Sequence, residues 1–200
     1  MSEQDQPLPA PESPRLPGGG VAFAIVAIVL ASLKLLWTFS SVPGLIFFWV
    51  AKSNFDGLRS GPGDVADIVM KEQAKYVVAQ LILLPLSAIV CGMLIWAAVL
   101  VLQRRKSGDL WIRRSVIVAG MIDVLATAAV VHLQFGISRG MAGLSQITVE
   151  DEVISLGFDD ALQLAFYVSV AYSLGLLLLL LGYYVFTFRY FSKPEIRALY

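Results

Sequence analysis

Four long apolar stretches separated by polar linkers dominate the chain, at residues 21–50, 76–102, 115–137 and 161–188. A helix crosses a bilayer core of about 30 Å with about 20 apolar residues, and each stretch is long enough. The bilayer interior holds no water to satisfy peptide N–H and C=O groups, so such segments must be helical. The pattern therefore predicts an all-α integral membrane protein, with four transmembrane helices in an up-down bundle spanning 21–190. Pro43-Gly44 and Pro85 are the expected bends.

The flanks read differently. Residues 1–20 carry Pro7, Pro9, Pro11, Pro14 and Pro17 and end in Gly18-Gly19-Gly20. That composition buries no core and predicts a disordered cytoplasmic tail. Its acids Glu3, Asp5 and Glu12 and its single base Arg15 do not fit a cleavable secretory signal. Residues 191–200 are expected to form a short second tail. In the first long linker, Ser60-Gly61-Pro62-Gly63 is a turn and Asp64 an N-cap. Residues 138–160 hold Thr148, Glu150, Asp151 and Glu152, the start of a short helix that Gly157 would end. The middle linker, 103–114, is short and basic.

Within the stretches, small and polar residues recur at spacings of three and four. Ala27, Ala31, Lys34, Thr38 and Ser41 share a seam in the first; Gln80, Ser87, Cys91 and Ala98 do so in the second. Gly120, Asp123, Thr127 and Gln134 align in the third, and Ala161, Ala165, Ser169 and Ser173 in the fourth. Membrane helices associate through such residues, because apolar surface gains little by leaving lipid for protein. Pairs at four-spacing, such as Ala165 and Ser169, also suit a helix from another chain.

Composition agrees with the pattern. Of 200 residues, 58% are hydrophobic and 15% charged, against roughly 45–50% and 25% in soluble domains. This excludes a disordered protein, a nucleic-acid binder and an ordinary water-soluble enzyme. The lone Cys91 allows no intramolecular disulfide and no cysteine-based zinc site, and the lone His132 allows no histidine pair. No phosphate loop, G-x-S-x-G or C-x-x-C is present, so no cofactor, metal or catalytic residue is expected.

Charge sets the expected orientation. The 15 bases and 15 acids cancel, but they are not evenly mixed. With the N-terminus inside, the inner segments hold Arg15, Arg104, Arg105, Lys106, Arg113, Arg114, Arg189, Lys193 and Arg197. The outer linkers hold Lys52, Arg59, Lys71, Lys75 and Arg139. The positive-inside rule then predicts N-in and C-in, although the first linker alone carries more bases than the N-terminal tail. Phe47, Phe48 and Trp49 at one surface, and Tyr183, Tyr184, Tyr190 and Phe191 at the other, are the expected aromatic anchors. Arg104, Arg105, Lys106, Arg113 and Arg114 set topology and offer contact to anionic lipid. A lone cysteine and no N-x-S/T acceptor fit a bacterial inner membrane.

Lys34 and Asp123 are the one base and one acid deep inside the stretches. A charge at the centre of a membrane helix costs roughly 2.5–3.5 kcal/mol on insertion scales. By helical rise they lie roughly 20 Å and 13 Å from the inner ends, a gap that one lysine side chain covers. The two are expected to meet as an ion pair or across a water. The first role is a lock between the first and third helices; the alternative is an ion or proton path. His132 sits on the opposite face of its helix from Asp123, and Gln134 does not titrate, so a relay lacks further members. The expected function is a non-catalytic accessory or scaffold subunit, with the bilayer and other membrane-protein subunits as partners. The alternative is a small transporter or channel component.

Overall fold

A computed structural model describes residues 18–55, 65–105, 107–144 and 155–198. The described chain is all-helical: α1 Gly18–Phe55, α2 Val65–Leu102, α3 Gly108–Leu144, α4 Ser155–Ser192 and the short α5 Pro194–Arg197. Four of these contain stretches long and apolar enough to cross a membrane: Gly18–Ile46, Lys71–Leu102, Gly108–Gly140 and Gln163–Ser192. The expected tail at 1–17, the turn at 60–63 with Asp64, Lys106, the acids at 150–152 and residues 199–200 lie outside the described residues. So do the side chains of Phe47, Phe48, Trp49 and Ala161.

The helices are longer than their apolar stretches. Hydrogen-bonded turns continue past the point where hydropathy falls, and a 38-residue helix rises about 57 Å. Both Pro43 and Pro85 lie inside continuous helices. Gly157 falls in the first turn of α4 and ends no separate helix. Gly18-Gly19-Gly20 opens α1 instead of closing a tail. The reason is close packing: a Cβ on Gly19 would stand 3.0 Å from the Tyr190 ring.

The largest correction is at the middle linker. Residues 108–114, expected as loop, form the first two turns of α3. Asp109 in the first turn suits the helix dipole, and Ile112 is fully buried. The connection left is very short. Arg104 N–H donates to Val101 O at 3.1 Å and Arg105 N–H to Leu100 O at 3.0 Å, the paired bonds of a Schellman cap. Arg104 takes the left-handed position at φ 56°, where glycine is usual. Gly108 then passes so close to α2 that a Cβ would stand 3.0 Å from Val101 N.

The core lies around this turn. Ala24, Ala27, Ala97, Ala98, Val101, Ile112 and Phe191 form one buried cluster, capped by Ile196 of α5. Ala31, Val90, Cys91, Leu94, Val116, Ala119 and Tyr184 form the next. Alanine on facing helices lets backbones approach closely, and packing of this kind holds membrane helices together. Phe191 and Tyr184, expected at the membrane surface, are core residues at 0% and 6% exposure. The C-terminal segment also docks: Arg197 Nε lies 3.8 Å from Asp109 Oδ2. In sequence, α2 packs on α1 and α3, and α3 on α4. Phe23 joins α1 to α4: its carbonyl accepts from the Tyr183 hydroxyl at 2.9 Å, and its ring lies 5.0 Å from that of Tyr190.

Candidate functional site

The second core cluster surrounds a charged group. Lys34 reaches from α1 and donates through Nζ to Asp123 Oδ1 on α3. The Tyr184 hydroxyl, from α4, donates to Asp123 Oδ2 at 2.9 Å. One carboxylate thus ties three helices, with both oxygens occupied. The side chain of Asp123 is 6% exposed and that of Lys34 25%.

Small neighbours make this geometry possible. Ala27 and Ala31 keep α1 low along its inner face, each almost fully buried. Gly120, one turn before Asp123, leaves room for α4: a Cβ there would sit 3.5 Å from Leu181 and 3.6 Å from Tyr184. One turn after Lys34, the Thr38 hydroxyl donates to the Lys34 carbonyl at 2.8 Å. In a medium of low dielectric each isolated charge is costly, whereas the pair is neutral as a unit. The extra tyrosine hydrogen bond satisfies the second oxygen. Lysine carries three N–H donors, so its ammonium still has hydrogens to give toward its exposed side.

The remaining polar seam residues form smaller contacts. Gln134 Nε2 donates to Ser169 Oγ at 2.5 Å, a second polar bridge between α3 and α4. Its Oε1 is buried without a partner. Ser173 donates back within its own helix, to the Ser169 carbonyl one turn earlier at 2.9 Å. On α2, Gln80 and Ser87 are half-buried and Cys91 is buried. Thr127 is half-buried on α3, while Ala165 of the expected α4 seam is exposed. These do not join the Asp123 group into one chain of polar atoms.

The basic cluster separates into parts. Arg113 turns back onto its own helix, its Nη2 3.1 Å from Asp109 Oδ2, so this base serves the first turn of α3. Arg104 holds the strained cap. Arg105 and Arg114 are exposed. His132 is exposed on α3.

Tyr184 is the site member that sequence reasoning missed. A signal for it exists: eleven residues, three helical turns, carry the Ser169–Ser173 seam from Ser173 to Tyr184. Its place among aromatic neighbours near the end of the stretch made it read as a surface anchor. Comparison with family models, with characterised proteins and with solved structures gave no match.

Proposed function

We propose that this is a multi-pass membrane protein, with four helices alternating in direction and both termini inside, that serves as a non-catalytic accessory or scaffold subunit of a bacterial inner-membrane complex. Alternation is supported by the first core cluster, which gathers the start of α1, the end of α2, the start of α3 and the end of α4. The basic residues around the α2–α3 turn and the end of α4 support that end as the cytoplasmic one.

One observation carries the scaffold reading. On α4, Ala171 and Gly175 are four residues apart on an exposed face, flanked by Val168 at 60% and Tyr172 at 70% exposure. A Cβ on Gly175 would meet nothing within 4 Å, so the chain's own packing does not require glycine there. A small-x-x-x-small pair facing outward is what a helix of another chain packs against. Isolation of the full chain in mild detergent, beside Gly175→Leu, tests this. A stoichiometric companion held by the parent and lost from Gly175→Leu is expected, with the melting temperature of the chain itself unchanged. Recovery of a lone monodisperse chain across several gentle detergents removes the reading.

A second reading makes the chain a transporter or channel component working through Lys34 and Asp123. It is favoured by the partial exposure of Lys34. Reconstituted liposomes would then show a flux that Asp123→Asn abolishes. Flux no greater than that of empty liposomes rejects it.

A further inference from the structure

A groove of about 760 Å³ runs between α3 and α4 on the outer surface of the helices. Its walls are apolar: Met121, Val124 and Leu125 on α3 face Leu181, Val185 and Phe188 on α4. Its floor is set by Gly120, over which Tyr184 passes on its way to Asp123. Its volume is that of a small-molecule site, yet its long side stays open to the surroundings of the helices.

Arginines mark one end. Arg189 lines the groove from α4. On α3, Arg114 continues the exposed stripe of Ile117, Met121 and Leu125, at spacings of three and four. The register of the two helices brings these ends together. Gln134 meets Ser169 and Gly120 faces Leu181 and Tyr184, which sets Arg114 level with Arg189. Arg113, the neighbouring base, is taken by Asp109. No acid pairs with Arg114 or Arg189 among the described residues. From Arg114 to Leu125 the helical rise is about 16 Å, close to half of a ~30 Å hydrocarbon core.

We infer that this groove holds an anionic phospholipid, with one acyl chain laid along it and the phosphate between Arg114 and Arg189. Guanidinium groups suit phosphate oxygens through paired N–H donors; Arg189 lines the groove, and Arg114 stands level with it on α3 by helical register. The apolar length matches one leaflet, so headgroup and chain fit together. The lipid seats against the ring of Tyr184 and so backs the Asp123 group from outside. This rests on the membrane reading above but not on a partner subunit.

The test uses the full chain in mild detergent, with phosphatidylglycerol and phosphatidylcholine of identical acyl chains added in turn, and retained lipid counted by native mass spectrometry. The parent should retain phosphatidylglycerol over phosphatidylcholine. Arg114→Gln and Arg189→Gln should each weaken phosphatidylglycerol about fivefold, and the double variant should bind both lipids alike. Val124→Trp, which fills the groove, should lower retention of both. Three results overturn the site: equal retention of the two lipids by the parent, an unchanged lipid count in Val124→Trp, or an equal loss when Arg104 and Arg105 are replaced by glutamine instead. Any of these leaves the scaffold reading standing, and a chain without companions leaves the lipid site standing.

Discussion

Along the same four helices, the half around the α2–α3 turn and the half away from it are packed in different ways. In the turn half, residues from all four helices are buried, down to 0% exposure at Ala24, Ala97, Ala98, Val101, Ile112 and Phe191. In the open half, among side chains described, Thr38 and Val77 are the buried ones, at 8% and 7%. Both halves are apolar; Trp37 at 77% and Tyr172 at 70% exposure belong to the open one. Hydrophobicity therefore does not separate them. What separates them is small residues on facing sides. Where Ala24, Ala27, Ala31, Ala97 and Ala98 meet, backbones close up and dispersion contacts accumulate. Further along, large side chains such as Trp37 and Tyr172 face outward, and their apolar surface is left for lipid or another protein.

Truncating one large side chain in each half should break that comparison if it is false. Phe191→Ala removes a ring from the closed core and should cost about 3 kcal/mol. Tyr172→Ala on the open half should stay within about 0.5 kcal/mol, as surface changes do. Reversible unfolding of the full chain in detergent measures both. Equal losses would show that the open half is closed by contacts with equal strength.

The Lys34–Asp123–Tyr184 group lies at the border of the two halves, and the next effect in size belongs to it. Lys34→Ala or Asp123→Ala leaves one charge unpaired and should cost about 3 kcal/mol at most, since Lys34 is partly exposed. The double variant should recover most of that loss, and Tyr184→Phe should cost about 1.5 kcal/mol. A double variant as unstable as the sum of the singles would mean that the two charges do not act as a pair.

The sequence made much of this legible, and for a physical reason. Bilayer length and backbone hydrogen bonding leave few choices, so four helices follow from hydropathy, and a lone acid and base inside them point to each other. What escaped was set by packing across helices. Residues 108–114 looked like loop because they are basic, yet Arg113 pairs with Asp109 one turn back and Ile112 faces the core. Phe191 and Tyr184 looked like surface aromatics because such residues line membrane interfaces. Their burial depends on Ala24, Ala27 and Gly120 standing opposite, a relation between helices that no single-helix period records. The docking of Ile196 and Arg197 had no signal in a tail of ten residues.

The smallest expected effect concerns the polar bridge across the open half. Gln134 Nε2 donates to Ser169 Oγ while Gln134 Oε1 has no partner. Interhelical side-chain hydrogen bonds in membranes average about 0.6 kcal/mol, because the unfolded chain in lipid also finds partners. Gln134→Leu removes the bond and the unpaired carbonyl oxygen together, and these two contributions oppose each other. The change in unfolding free energy should therefore lie within about 0.5 kcal/mol of zero. Gln134→Glu, which puts a carboxylate at a position whose side-chain oxygen is buried without a partner, should cost more. A loss above about 2 kcal/mol in Gln134→Leu would place a second polar lock in the open half and end the contrast between the halves.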